Sequence, residues 1–396
     1  ELQLDELELL AETAGAKIVD RVVQKRSKID AATFIGKGKV SSIISQAKEL
    51  ELHLIIFNDE LSPTQIKNIQ KLAGDSIKIL DRTGLILDIF DSHARSKESK
   101  TQIKLARLEY MLPRLTRQWT HLERQMGGVG TRGGPGEAQI EIDRRLIRNQ
   151  ITKLKLDLKK IQKQHMTQTQ SRDRIYKIAL VGYTNAGKST LMKALTGSDV
   201  YIEDQLFATL DTTTRKVDLG GGISFILSDT VGFIRKLPHD LVASFRSTLS
   251  EVKDADLILR VCDGSSAQMN AHMKAIDEVL KSLDITHENQ LTVINKIDLV
   301  KDVDLITGLK MAYPDAQFIS AHKSLKIDHL KIKIVDIIKS KFIRKILKLR
   351  YDQLKNIDMI YDGLNVISRK DKYDGVEIEV EGDVKTVAKI ENIINK

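Results

Sequence analysis

Only one cysteine occurs in 396 residues, so no disulfide framework can form within the chain, and a reducing cytosol suits it. Cys262 ends the largely apolar run Leu257–Val261, where a small buried side chain is its ordinary role and redox chemistry is not called for. No apolar run approaches the roughly 18 residues of a membrane-spanning helix. A secretory signal pattern is also missing, so the expected location is the cytoplasm. Internal repeats are absent, and the one low-complexity stretch is a glycine loop between Gly127 and Gly136.

The length allows about two to four domains. The formal charge of +9 is unevenly spread, because Lys97 to Arg174 holds 18 basic and 8 acidic residues, a net of +10, and leaves the rest of the chain near −1. Such an excess suits an anionic partner of the kind nucleic acid offers. It suits equally well the solvated faces of long helices.

GYTNAGKST, comprising Gly182, Tyr183, Thr184, Asn185, Ala186, Gly187, Lys188, Ser189 and Thr190, fits the phosphate-binding pattern G-x-x-x-x-G-K-[ST]. The run ahead of it, Ile175 to Val181, ends fully apolar, and Leu191 to Leu195 behind it starts a helical pattern. Strand, glycine turn and helix are the context this motif requires. Gly182 and Gly187 let successive N–H groups face the phosphates, Lys188 would reach the β- and γ-phosphates, and the Ser189 hydroxyl would ligate Mg²⁺. DTVG (Asp229, Thr230, Val231, Gly232) follows the apolar run Ile223 to Leu227, which puts Asp229 at a strand end within reach of Mg²⁺ through water. NKID (Asn295, Lys296, Ile297, Asp298) follows Leu291 to Ile294. Asp298 would accept from guanine's ring N–H and exocyclic amine, Asn295 would read the O6/N7 edge, and the Lys296 stem would lie on the base. Adenine presents the wrong donors. A third strand end brings Ser320, Ala321 and His322, whose backbone N–H groups would line the base. The motifs in this order and spacing point to guanine nucleotide.

The fold class expected is α/β. Residues 1–96 read as an N-terminal parallel α/β domain, with strands at Ala16 to Val23, Leu52 to Phe57 and Ile77 to Leu80 alternating with helices near Val40 to Leu50 and Pro63 to Leu72. Between them, Phe34 to Lys39 is a basic loop rather than a nucleotide site. Over residues 97–170 two seams of heptad spacing appear: Leu105, Leu108, Leu112, Leu115, Trp119, Leu122 and Met126, then Ile140, Ile147, Ile151, Leu154, Leu158 and Ile161. The glycine loop between them predicts an antiparallel helical hairpin, and Pro113 should kink or split its first arm. Six glycines, one proline and Arg132 exceed what closure needs and suit a flexible tip that approaches an RNA backbone. Met166 to Arg174 reads as a linker. Residues 171–340 form the P-loop domain, with helices at Leu237 to Val252, Gln268 to Leu283 and Ile327 to Ile338 and a strand at Asp256 to Cys262. Residues 341–396 read as a small C-terminal α+β module.

The chain resembles the HflX family, ribosome-associated P-loop GTPases of the translation-factor-related class. The likeness rests on GYTNAGKST, FATLD (207–211), DTVGF (229–233), LPHDLVASFRSTL (237–249) and above all the glycine loop running into QIEIDRR (139–145). It spans nearly the whole chain. It implies a Mg²⁺-dependent, monomeric GTPase that binds the large ribosomal subunit and its rRNA in the GTP form, with ribosome splitting or rescue under stress as its role. By that resemblance Thr209 is the switch threonine on Mg²⁺, and Phe207, Ala208, Leu210 and Asp211 join the GTP-binding set. The catalytic candidates are Lys188, Thr209 and Gly232, the metal set is Ser189, Thr209 and Asp229, and the RNA-contacting candidates are Gly128, Arg132, Arg144 and Arg145. Thr212 and Ala138 stand where the family usually has proline and threonine. Two other readings are a tRNA-modification GTPase, which would need a C-terminal catalytic cysteine or a partner enzyme, and a ribosome-assembly GTPase with a dedicated RNA module. The single cysteine sits mid-domain, and the tail lacks a G-x-x-G loop of the KH type.

Phe233 follows D-x-x-G where many P-loop GTPases place a water-orienting glutamine. No basic residue is marked as an internal arginine finger, Arg215 and Arg235 being ordinary solvated loop residues, so intrinsic hydrolysis should be slow, on the order of 10⁻³ s⁻¹ or less.

Overall fold

In the computed structural model, the described residues are 2–25, 27–115, 136–169, 175–197, 206–207, 209–219, 223–235, 250–282, 285 and 289–394. The chain divides into two units: Glu1–His165 with Glu203–Thr212 and Val231–Ser250, and Met166–Ile202 with Thr213–Thr230 and Glu251–Lys396. The two stretches on either side of the DTVG aspartate therefore belong by contact to the first unit, although the phosphate loop belongs to the second.

In the first unit, α1 (Leu2–Thr13) is followed by α2 (Lys37–Glu49), β1 (Leu54–Phe57), α3 (Pro63–Ala73), β2 (Lys78–Asp81), α4 (Arg82–His93), α5 (Lys97–Met111) and α6 (Gly136–Thr169). The helix starts follow local chemistry. Ser62 and Gln65 form a capping box ahead of α3, with Pro63 in its first turn, the one place where a missing N–H costs nothing. Asp81 caps α4 through the Gly84 N–H, and Ser96 caps α5 through the Ser99 N–H. β1 and β2 pair in parallel from Leu54 opposite Lys78 to Phe57 opposite Asp81, joined by α3. Val40, Ile44, Phe57, Leu61, Ile66, Ile69, Ile77 and Ile79 make the core. Phe34, in the basic loop, meets Phe57 edge-on with ring centroids 6.2 Å apart, so that loop is tied down by packing.

The predicted strand at Ala16 to Val23 is not formed. The segment carries no ladder, and Val19, Val22 and Val23 are exposed. Alternating β-branched residues favour an extended chain, but a strand exists only where a neighbour supplies hydrogen-bond partners. Both α1 and the mostly buried α4 went unmarked in the sequence, α4 because its buried residues run almost without a break from Arg82 to Phe90 and include polar ones, which leaves no period to read.

The hairpin arms behave as their spacing predicts. Leu105, Leu108 and Leu115 pack with Ile147, Ile151 and Leu158, Leu112 and Leu154 flank them, and Lys155 pairs with Glu109 at 2.7 Å. At Pro113 the α-helix gives way to a 3₁₀ turn, Leu112–Arg114. Of the predicted linker, residues 166–169 continue α6. Trp119, Leu122, Met126 and the glycine loop lie outside the described residues.

The second unit begins with β3 (Tyr176–Gly182) and α7 (Lys188–Thr196), then β4 (Thr213–Asp218), β5 (Ser224–Asp229), a helical turn at Ser250–Lys253, β6 (Leu257–Asp263), α8 (Met269–Ser282), β7 (Gln290–Asn295), α9 (Val303–Ala312), β8 (Gln317–Phe318) and α10 (Ile327–Lys339). The sheet order is β4-β5-β3-β6-β7-β8, with only β4 antiparallel. Strands such as β3 and β6 are buried on both faces and so read as continuous apolar runs. A three-stranded antiparallel sheet ends the chain, β9 (Phe342–Leu349), β10 (Asn365–Lys372) and β11 (Gly375–Asp383) in the order β10-β11-β9. It carries α11 (Ile357–Gly363) and α12 (Val384–Ile394) against its apolar side. That is the α+β module the alternation around Val376 to Val380 predicts. Among the described residues no helix is long and apolar enough to cross a membrane.

Candidate nucleotide site

Ligands of an open parallel sheet bind at the carboxyl ends of its strands. Here β3 runs into the glycine loop, β5 ends on Asp229, β6 on Asp263 and β7 on Asn295. Gly182 approaches β6 so closely that a Cβ on it would overlap the Val261 carbonyl oxygen. Gly187 is left-handed at φ 89°, and a Cβ there would overlap Asn295 Nδ2. These two positions admit only glycine.

Lys188 is the first residue of α7, and its buried ammonium donates to the carbonyls of Gly182 at 3.2 Å and Tyr183 at 3.1 Å. Burial pushes its pKa down to about 8, although the Asp229 charge pulls the other way. One residue on, the Ser189 hydroxyl donates to Asp229 Oδ2 at 2.6 Å. A hydroxyl and a carboxylate side by side are the hard oxygen donors that Mg²⁺ takes alongside phosphate and water, so these residues fit that ion. Thr230 is buried and its hydroxyl donates to the Leu180 carbonyl at 2.7 Å, locking the end of β5 to β3. Within the loop, Thr184 is buried, Ala186 is 1% exposed, and Asn185 is left-handed at φ 57°.

Asn295 joins three loops. Its Nδ2 donates to the Ala186 carbonyl and its Oδ1 accepts from the Ala321 N–H, both at 2.9 Å. One Nδ2 hydrogen is left for the O6/N7 edge that the sequence expectation gives it, where both guanine atoms accept. Ile297 N–H donates to Ile319 O at 3.2 Å, which brings the loop carrying half-buried Lys296 and Asp298 beside the one carrying Ser320, Ala321 and exposed His322.

Two side chains were missed by sequence reasoning. Asp263 pairs with Lys296 at 3.0 Å, both mostly buried, and so fixes the stem expected to lie on the base. Its sequence signal was only its place at the end of an apolar run, and the register that sets it opposite Asn295 comes from the sheet. His272, on α8, stacks on the Tyr183 ring with centroids 3.8 Å apart and planes 13° apart, a contact no spacing reveals.

Several candidates belong to the first unit. The Phe207 ring packs in the first unit against Phe90, and the Asp211 carboxylate accepts hydrogen bonds from Arg95, Ser96 and Ser99, so the side chains of both are engaged within that unit. Thr209 is half-buried; Leu210, Val231, Gly232 and Phe233 are buried, and all belong to the same unit. Arg145 is exposed on α6, and Arg144 lies 3.9 Å from Glu141. Ala208, Gly128 and Arg132 fall outside the described residues. Cys262 is buried and free, and burial raises its pKa to about 12, which bears out the inert reading.

Comparison with known proteins agrees with this geometry. Residues 1–91 match a family model described as GTP-binding GTPase N-terminal, 93–172 one described as GTP-binding GTPase middle region, and 177–296 one described as 50S ribosome-binding GTPase. GTPase HflX of Flavobacterium psychrophilum is 50% identical over 302 residues, 76% of this chain and 72% of that one. GTPase HflX of Escherichia coli is 44% identical over 303 residues, 76% of this chain and 70% of that one. GTPase HflX of Chlamydia pneumoniae is 39% identical over 96% of this chain and 81% of that one. A solved GTP-binding protein of Sulfolobus solfataricus in complex with GDP is 27% identical over 84% of this chain and 94% of its own, with a TM-score of 0.43. Identity at this level over some three quarters of the length, with the phosphate loop, DTVG and NKID at strand ends of one sheet, makes this chain a GTPase of the HflX family.

Proposed function

We propose that this GTPase binds the large ribosomal subunit in its GTP form, acts there in splitting or rescuing ribosomes under stress, and leaves on hydrolysis. The observation that carries the ribosomal reading is the net charge of +10 between Lys97 and Arg174, of which Arg145, Arg148, Lys153, Lys155, Lys159, Lys160 and Lys163 stand exposed along α6. A row of cations on a rigid helix is the electrostatic footprint of phosphate contact. The description of the model matched over 177–296 supports the same partner.

In this reading Lys188 and the backbone N–H groups of Gly182 to Thr190 hold the β- and γ-phosphates, while Asp298 and Asn295 read guanine and the Lys296 stem, fixed by Asp263, lies on the base. Ser189, Asp229 and Thr209 would hold Mg²⁺, which supplies charge neutralisation for the phosphate oxygens when bound. Phe233 is 2% exposed and can neither donate nor accept a hydrogen bond, so nothing at that position orients the attacking water. The bound ribosome then completes the site.

Single-turnover GTP hydrolysis with and without large subunits tests this. Stimulation of roughly 10²-fold or more is expected. Free protein turning over near the ~1 s⁻¹ of a completed site, or indifference to ribosomes, would refute it. Sedimentation with mature ribosomes and with assembly precursors then separates splitting from assembly.

A further inference from the structure

The stretch around the expected switch threonine is fastened to the first unit at both ends. Phe207 is 2% exposed, its ring edge-on to Phe90 with centroids 4.6 Å apart, and its backbone is left-handed at φ 59°. A bulky residue holds that conformation only where its surroundings over-determine it. Four residues later, Asp211 Oδ2 accepts from the N–H groups of Arg95 and Ser96, each at 3.0 Å, and Oδ1 accepts from the hydroxyls of Ser96 and Ser99. The α5 dipole adds to the attraction. Burial raises the carboxyl's pKa, but the donations from Ser96 and Ser99 outweigh it and leave the group below its ordinary value. As a cap for α5 this carboxylate is redundant, because the Ser96 hydroxyl already accepts from the Ser99 N–H at 3.0 Å. What the contact adds is a fixed end for the chain segment. In the second such segment Arg82, paired with Glu6 and Asn58, donates to the Arg235 carbonyl at 3.3 Å.

Thr209 lies two residues from either anchor, so it stays within about 7 Å of each. We infer that Ser96 and Ser99, at the start of α5, are positioning residues for GTP hydrolysis: by holding Asp211 they set where Thr209 stands. The inference rests on the reading of Thr209 as the switch threonine. A misplacement of about 1 Å at such a group can cost as much as 10²-fold.

The test uses the full chain with Asp211→Asn, the double variant Ser96→Ala with Ser99→Ala, Ser96→Thr and Thr209→Ala. Single-turnover GTP hydrolysis is measured beside GDP affinity and amide exchange over 209–212. Asp211→Asn and the double variant should hydrolyse GTP about tenfold more slowly, with faster exchange in the segment and unchanged GDP affinity. Ser96→Thr, which keeps the hydroxyl, should retain the rate. An unchanged or raised rate in Asp211→Asn, or a parallel loss of GDP affinity, overturns the positioning role. Thr209→Ala as fast as the parent overturns the switch assignment and this inference together. Slow Thr209→Ala beside normal Asp211→Asn overturns this inference alone.

Discussion

Asp81 and Asn295 are two buried polar residues that each end a parallel strand, one in each unit, and they solve different problems. Asp81 is wholly buried and accepts from Leu61 N–H at 3.0 Å, Gly84 N–H at 2.8 Å and the Tyr110 hydroxyl at 2.8 Å, with Arg114 Nη2 at 3.7 Å. Arg114 lies over the Tyr110 ring at 3.8 Å. Burial and the Asp81 charge push the Tyr110 phenol well above its ordinary range, so it remains a donor. The set is buried and charged, and its cation is matched by Asp81 inside and by the more exposed Glu60, at 3.1 Å, on the other side. Asn295 ties its loops with a neutral amide. A carboxylate of the same shape would repel nucleotide phosphates and would turn an acceptor toward the Ala186 carbonyl. The residue type at a strand end thus follows from whether the loops around it close on protein or open on an anion.

The largest effect expected is on Asp81. Asp81→Ala leaves the Leu61 and Gly84 N–H groups and the Tyr110 hydroxyl without their acceptor and leaves Arg114 with Glu60, at 3.1 Å, as its remaining carboxylate, and should cost about 3 to 5 kcal/mol of stability in denaturant unfolding. GDP affinity of the folded protein should survive; its loss would show that the two centres are not independent. Asn295→Ala should weaken GDP binding about 10- to 100-fold by calorimetry, since two buried backbone groups lose their partner. Asn295→Asp should be weaker still, and parental affinity in that variant would end the argument for a neutral amide. The smallest effect is a proton. Folded Lys188 titrates near 8 and unfolded lysine near 10.5, so between those values the unfolded chain binds more protons and the nucleotide-free protein gains stability as pH rises. Bound phosphate restores the ammonium, so GDP binding at about pH 8.5 should take up a fraction of a proton. Calorimetry in buffers of different ionisation enthalpy reads it, and proton release would reverse the assignment.

Much of the nucleotide site was legible because each motif is contiguous and lies at the junction of an apolar strand and a turn. Gly187, Lys188, Ser189, Asp229 and Asn295 needed only that junction to be recognised. The hairpin was legible for a similar reason, as a seam repeats along one helix. Asp263 was half-legible, as a carboxylate at the end of an apolar run, while its partner Lys296 is set by the register of β6 and β7. The segment Ala16 to Val23 misled, since alternation reports what a side chain prefers and not whether a neighbouring strand is there to pair.

By itself, then, the sequence determined the phosphate loop, the guanine motif, the paired helical arms and the placement of one inert cysteine, because each depends on residues close in the chain or on a repeating period. Only the tertiary structure decided that Asp211 is held by Ser96 and Ser99, that Phe207 rests on Phe90, and that Asp81 gathers Leu61, Tyr110 and Arg114. Those contacts join residues as many as 117 positions apart. Hydrogen bonds and ring packing between such distant residues leave no local pattern, since what selects each partner is the space and charge that the folded chain provides.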